Sequence, residues 1–189
     1  MLTIDHLNKS FGANQVLFDV SFSVQNGHIL GLVGKNGAGK STIFHSILNF
    51  VDYTGTISID GKKFNAKDYD QVGYLPEERS LMPKLTVADQ ISFLASLKGM
   101  SAKKAKAELP DWLSRLGVKG LPTDKIKSLS KGNQQKVQMI ATLIHQPKLI
   151  ILDEPFSGLD PVNVDLMKQL ILEEKRNGAT IIFSDHDMR

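Results

Sequence analysis

The sequence predicts an α/β domain with a mostly parallel core sheet, an antiparallel β portion at its N-terminus and an inserted helical lobe. Three observations predict it. Residues 2–24 alternate apolar and polar side chains in two runs, the period-two pattern of half-buried strands. Residues 29–33, 148–152 and 179–183 are short apolar runs with the character of strands buried on both faces. Residues 86–128 change texture to helical spacing, which sets a lobe inside the α/β pattern.

The elements follow in order. Leu2 to Asp5 and Val16 to Val24 are strands, with Gly12-Ala13-Asn14 as the turn between them. Asn26-Gly27 is a second turn before the strand at 29–33. A helix is expected over 42–50, then strands over 56–60, ended by Gly61, and 71–75, closed by Pro76. Thr86 and Asp89 mark a helix start, and Ile91, Leu94, Ala95 and Leu97 fall on one helical face. Ser101 precedes an Ala/Lys-rich helix. Trp112, Leu113 and Leu116 continue a helical pattern, with Pro110 early in that segment. A helix over 133–145 leads to the strand at 148–152, with Pro147 as the break. A helix over 161–177 ends at Gly178 before the last strand. The chain divides into a core, 1–84 and 129–189, and the lobe, 85–128.

The bulk numbers narrow the class. The chain has 189 residues and is 41% hydrophobic, which is ample for a packed core. No apolar run approaches the roughly 20 residues that span a bilayer. The N-terminus lacks the basic and apolar regions of a signal peptide. There is no cysteine, so disulfides and thiolate metal sites are excluded. A net charge of +3 is too weak to argue for nucleic acid. Lys98, Lys103, Lys104 and Lys106 form the densest basic stretch and read as a solvated helix face.

The chemistry begins at Gly34-Lys35-Asn36-Gly37-Ala38-Gly39-Lys40-Ser41, which fits the phosphate-binding loop pattern G-x-x-x-x-G-K-[ST] without a mismatch. A strand precedes it and a helix follows from Thr42, the context the motif requires. Glycines let the backbone wrap a phosphate chain, and the helix start adds converging N–H groups. Lys40 would reach the β- and γ-phosphates, and the Ser41 hydroxyl would ligate Mg²⁺. A second signal is Asp153-Glu154 at the carboxyl end of the strand at 148–152, where open α/β sheets bind ligands. Carboxylates buried there need a compensating cation. Asp153 is the candidate Mg²⁺ holder and Glu154 the candidate general base for a water. A third, weaker signal is Leu129-Ser130-Lys131-Gly132-Asn133, where Ser130 is a helix cap and Gly132 permits close approach of an anion.

With these motifs in place the chain resembles the nucleotide-binding domain of ATP-binding cassette transporters, a P-loop NTPase of ABC type. Leu129 to Asn133 sits where that family carries its Leu-Ser-Gly-Gly-Gln signature. Phe156-Ser157-Gly158-Leu159-Asp160-Pro161 resembles the loop after its second Walker motif, and Phe183-Ser184-Asp185-His186 its switch-histidine segment. Phe11 lies where the family stacks an aromatic ring on adenine. Gly73-Tyr74-Leu75-Pro76-Glu77 resembles the segment bearing its Mg²⁺- and permease-contacting glutamine. The motifs keep the family order and cover essentially the whole chain.

The resemblance implies ATP and Mg²⁺ as ligands. It implies a head-to-tail pair of cassettes, as a homodimer or with a paired cassette domain, that closes two ATP molecules. Ser130, Gly132 and Asn133 would then act on the partner subunit's ATP, and His186 would contact the γ-phosphate. The cycle would drive an integral-membrane permease, which places the chain in the cytoplasm, peripheral on the inner face of the cell membrane. Further strands and helices are expected beyond Arg189, so the chain is expected to be truncated at its C-terminus.

Departures from the family pattern are specific. Lys131 and Asn133 replace glycine and glutamine in the signature. Phe11 replaces the commoner tyrosine and keeps the stacking face. Glu77 replaces glutamine. It has two open roles, an Mg²⁺ ligand or a surface acid that touches the permease. The wording Gly73 to Arg79 resembles a bacterial export-type subgroup similar to sodium-efflux ATPases. Two rival functions differ in class. A cassette ATPase of ribosomes or DNA resembles paired cassettes or carries a long coiled coil, and this chain has one cassette and no heptad run. A non-catalytic, ATP-gated module would tend to lose the acid at Glu154.

Overall fold

The structure is a computed structural model that describes residues 1–78 and 80–187. Arg79, the last residue of the segment that begins at Gly73, lies outside the described residues. Two sheets form two layers. The first is antiparallel, in the order β2 (Asn14–Val24), β1 (Leu2–Phe11), β4 (Thr54–Ile59), β5 (Lys62–Lys63). The second is parallel, in the order β3 (Ile29–Val33), β8 (Thr180–Asp185), β7 (Leu149–Leu152), β6 (Val72–Leu75). Among the described residues five α-helices complete the fold: α1 (Lys40–Ile47), α2 (Val87–Leu97), α3 (Ala102–Arg115), α4 (Lys131–Leu143) and α5 (Pro161–Arg176). The α/β class, the parallel core sheet, the antiparallel N-terminal portion and the helices of the 86–128 region are thus as the sequence predicts.

The parallel strands explain their own composition. On β7, Leu149 and Ile151 enter one apolar cluster with α1 and the antiparallel sheet. Ile150 and Leu152 enter the other, with α2, α3, α4 and α5. Both faces are covered, so all four residues are buried and the alternation disappears. The helices of the 86–128 region share the second cluster with β7, α4 and α5, so they have no separate core.

Three boundaries differ from expectation. β1 continues past Asp5 to Phe11 through a bulge. Leu2, Ile4 and Leu7 are all buried, but the spacing changes from two to three where His6 takes φ 50° and the register shifts. The strict alternation therefore ends before the strand does. Helix α1 starts at Lys40, two residues before the predicted Thr42, because the loop over 34–39 turns straight into it at Gly39. Helix α3 runs unbroken through Pro110. The proline is on the exposed side, where the carbonyl it leaves unpaired meets water. Leu97 is a correction. Ile91 and Ala95 are buried as expected, but Leu97 is 60% exposed at the end of α2.

Thr86, Ser101 and Ser130 stand at helix starts as the sequence predicts, and Asp160 joins them as a cap. Thr86, Ser101, Ser130 and Asp160 each accept a backbone N–H from the third residue onward at the start of α2, α3, α4 and α5.

His145 follows α4 and is half-buried. Burial holds its pKa down to about 4, and the Lys98 ammonium adds to that, against the Val72 carbonyl and Asp70. Its Nε2 lies 3.2 Å from the Val72 carbonyl oxygen. The unfolded chain takes up this proton near pH 6.5, while the folded chain resists it until about pH 4. Folding stability is therefore full above about pH 6.5 and falls between there and pH 4, by roughly 2 kcal/mol after allowance for partial exposure. His145→Gln keeps a donor for Val72 and cannot titrate. Thermal melts from pH 7 to 4 should have a shallower decline in that variant; parallel curves would reject the assignment.

Candidate functional site

The site forms where β3, β7 and β8 end together. After Val33 the chain continues the β3–β8 pairing for one more step, with the Gly34 N–H donating to the Asp185 carbonyl at 3.2 Å. It then turns through the exposed residues Lys35, Asn36, Gly37 and Ala38. Gly39 closes the loop at φ 96°, and a Cβ there would stand 2.8 Å from Leu17 Cδ2 of β2. Only glycine satisfies both conditions. The start of α1 has no side-chain cap and no acidic residue in its first turn. Its N–H groups are left for an anion. Ser41 and Thr42 follow on its first turn, both half-buried.

Lys40 folds back over the loop. Its ammonium donates to the carbonyls of Gly34 and Lys35, the second at 3.1 Å. The same ammonium lies 3.8 Å from Glu154 Oε1, and the Lys40 side chain is only 10% exposed.

Asp153 and Glu154 follow β7, and both are buried. They are organised by a residue that sequence reading did not single out for a role. The hydroxyl of Ser184, fully buried on β8, donates to Asp153 Oδ1 at 2.7 Å. It also accepts the Glu154 N–H at 2.8 Å. That second bond holds Glu154 at φ 50°, a left-handed conformation that costs a non-glycine residue about 1–3 kcal/mol. The turn aims the carboxylate along the sheet edge rather than into the core. His186 Nδ1 sits 2.8 Å from Glu154 Oε2. This hydrogen bond, and then the carboxylate charge, raise the His186 pKa above its ordinary value. The signal for Ser184 was a polar residue placed inside an apolar strand just before two further polar residues. Asp185, whose backbone carbonyl accepts the Gly34 N–H, carries no local sequence signal for that contact.

The remaining predicted residues lie around this edge. Glu77 is exposed and lines a cleft with Glu78, Gln135, Glu154, Ser157 and Gly158. Burial raises the Tyr74 pKa, and the charges of Asp153 and Glu77 add to it. Phe11 is half exposed at the end of β1, beneath the Lys9 ammonium at 4.8 Å from the ring centre. Its hairpin leads to Val16 and Leu17, which pack on Gly39.

The signature residues stand apart from the loop. Ser130 Oγ accepts the Asn133 N–H at 3.2 Å. The Asn133 side chain pairs with the Lys119 backbone, donating at 3.2 Å and accepting at 3.4 Å. Gly132 has open space where a Cβ would stand. Asn133 is therefore engaged within its own chain, whereas Ser130 and Gly132 face outward.

Among the described residues no helix is long and apolar enough to cross a membrane. Comparison with known proteins agrees with the geometry. A family model described as ABC transporter matches residues 17–157. The chain is 47% identical over 189 residues to the ABC transporter ATP-binding protein YhaQ of Bacillus subtilis, covering all of this chain and 63% of that protein. It is 32% identical over 195 residues to the lipopolysaccharide export system ATP-binding protein LptB of Escherichia coli, covering 100% of this chain and 81% of LptB. A solved ATP binding subunit of an ABC transporter superposes with a TM-score of 0.88 at 33% identity, over 98% of this chain and 79% of that one. CbiO1 from Clostridium perfringens, part of the ABC transporter complex cbiONQ, superposes at 0.82 with 28% identity, over 98% and 78% of the two chains. The chain thus spans under two thirds of the length of YhaQ. A complete phosphate loop, a buried acid pair and a histidine converge on one sheet edge, within a match that runs through the whole core, and the chain belongs to the ABC transporter family of ATP-binding domains.

Proposed function

We propose that this chain binds Mg-ATP and hydrolyses it, and that the cycle powers a membrane permease. One observation carries the catalytic part: Glu154 lies 3.8 Å from the phosphate-loop lysine and 2.8 Å from His186. A base, a cation and a switchable imidazole are thus within one site. Lys40 and the loop N–H groups hold the phosphate chain. Glu154 takes the proton of the attacking water, and His186 orients it against the γ-phosphate. Exclusion of solvent favours the transfer, since Asp153 and Glu154 are already buried.

The residues fit Mg²⁺. Asp153 is a buried carboxylate whose hydrogen-bond partner is a neutral hydroxyl, with no cationic side chain paired to it among the described residues. With the Ser41 hydroxyl it offers hard oxygen ligands, the set Mg²⁺ prefers. When bound, Mg²⁺ would neutralise charge on the phosphates. Glu77 lines the same cleft as Glu154 and is exposed, so it could serve as a further oxygen ligand or touch a partner.

The assembly reading rests on the outward signature. A Cβ at Gly132 would meet nothing within 4 Å, which leaves room for an external anion at the start of its helix. We read that anion as the ATP of a second cassette, identical or paired. The permease reading draws on relatives named as subunits of larger systems, CbiO1 and LptB. It draws also on an apolar groove beside Glu77, lined by Tyr74, Pro76, Leu81, Leu94 and the exposed Leu97. A partner there would hold the chain at the inner face of the membrane.

Phosphate release from Mg-ATP by the purified chain tests the catalytic reading, and absence of release at any protein concentration would reject it. Ser130→Arg tests the assembly. It should leave monomeric ATP affinity within about twofold and abolish ATP-dependent pairing, since the arginine would clash at the facing phosphates. Light scattering that still detects an ATP-induced dimer of this variant would refute the role of Ser130.

A further inference from the structure

Glu154, Asp185 and His186 offer one carboxylate oxygen each from the two acids and an imidazole nitrogen, and the three ligand atoms all lie within 4.8 Å of one another. We propose that these three side chains form a site for a borderline divalent cation of the Zn²⁺ class, separate from the oxygen-only Mg²⁺ site. Occupation of it would withdraw Glu154 and His186 from ATP turnover. This regulatory consequence rests on the reading of Glu154 as the base; the binding site itself does not.

The donor set selects the ion. Two carboxylates and an imidazole suit Zn²⁺, Co²⁺ or Mn²⁺, whereas Mg²⁺ demands an octahedron of oxygens and binds imidazole poorly. Zn²⁺ draws nitrogen and oxygen ligands to about 2.0–2.2 Å, so the three atoms need to close to within about 3.5 Å of each other. The site is built for that adjustment. Glu154 is the fixed member, buried and held by its N–H bond to Ser184. His186 is the movable member, with a side chain 48% exposed. Its Nδ1 already faces Glu154 Oε2 across 2.8 Å, where the cation would take the place of the shared proton. Asp185 Oδ1 accepts the Asp187 N–H at 2.9 Å, which leaves its second oxygen for a cation. Three protein ligands leave a fourth position on the open side for water, the arrangement of an accessible zinc site.

One charge opposes the ion. The Lys40 ammonium lies 3.8 Å from Glu154 Oε1. It sits on the other oxygen of that carboxylate and is turned back onto the Gly34 and Lys35 carbonyls. The second carboxylate, from Asp185, offsets its repulsion. Neither Ser41 nor Asp153 belongs to this set, so the two cation sites do not share a ligand.

The test uses metal alone, without nucleotide. Zn²⁺ is titrated calorimetrically into the parent chain, Asp185→Asn and His186→Gln, and Co²⁺ is followed by its visible absorption. The parent should bind one Zn²⁺ at this site. Each substitution should weaken that binding by at least about tenfold and bleach the Co²⁺ spectrum. Millimolar Mg²⁺ should not displace Co²⁺. Zn²⁺ affinity that is the same in all three proteins would overturn the proposal, as would no binding below millimolar or displacement of Co²⁺ by Mg²⁺. The other four histidines give a background that both variants keep, so the difference reports this site. Both substitutions are near-isosteric, and melting curves that overlay the parent establish that the fold is kept. A chain that binds Zn²⁺ here yet never releases phosphate would reject the ATPase reading and leave the metal site standing.

Discussion

Glu154→Gln is expected to bind ATP at the parent level and to lose turnover by at least about a hundredfold, the lower scale of general-base removal. The glutamine keeps the size of the side chain and the backbone bond to Ser184 that holds φ 50°. It can still accept a hydrogen bond from His186, which now stands 2.8 Å away. What it loses is the capacity to take a proton from water. The neighbouring Lys40 also loses its counter-charge at 3.8 Å, which leaves the ammonium more available to phosphate. ATP binding no weaker than the parent's, with hydrolysis cut at least about a hundredfold, is therefore the expected pair of results. His186→Ala should lower turnover less steeply, because the base remains. Single-turnover phosphate release with calorimetry separates the two effects. Parent-like hydrolysis by Glu154→Gln would remove Glu154 from the mechanism.

Lys40→Ala is expected to weaken Mg-ATP binding by roughly 10- to 150-fold, the equivalent of losing about 1.5–3 kcal/mol of charge-assisted hydrogen bonding. The loss has two sources. On the proposed reading the ammonium is the cation that would hold the phosphate chain, and it is nearly buried, so little water screens it. It also ties the Gly34 and Lys35 carbonyls together, so the loop loses its brace when the side chain is truncated. Lys40→Met restores bulk without charge and should recover fold stability but not affinity. Unchanged ATP affinity in both variants, measured by calorimetry, would sink the assignment.

Much of the site was legible because its chemistry is carried by contiguous residues. A phosphate loop needs its glycines and lysine at fixed chain spacing, since the loop wraps one ligand with successive N–H groups. Asp153 and Glu154 were legible because acids rarely end an apolar strand without a purpose. The caps Thr86, Ser101 and Ser130 depend on a side chain and the N–H three residues on, and so are also local. The fold class followed from patterns of period two and 3.6.

Residues whose role depends on contact across the chain were not legible. Ser184 reads as one polar residue in an apolar strand until β8 pairs beside β7 and places its hydroxyl between Asp153 and Glu154. Asn133 reads as a signature residue directed at a partner's nucleotide; the Lys119 loop takes both ends of its amide. The end of β1 was hidden by the bulge at His6, which shifts the alternation without ending the ladder. The sequence alone determined the class of the fold and the family, because each is written in local spacing. Only the tertiary structure decided that Lys40, Glu154, Asp185 and His186 share one edge. Parallel register between β3 and β8 brings residues about 150 positions apart into hydrogen-bond range, and no local pattern encodes that distance.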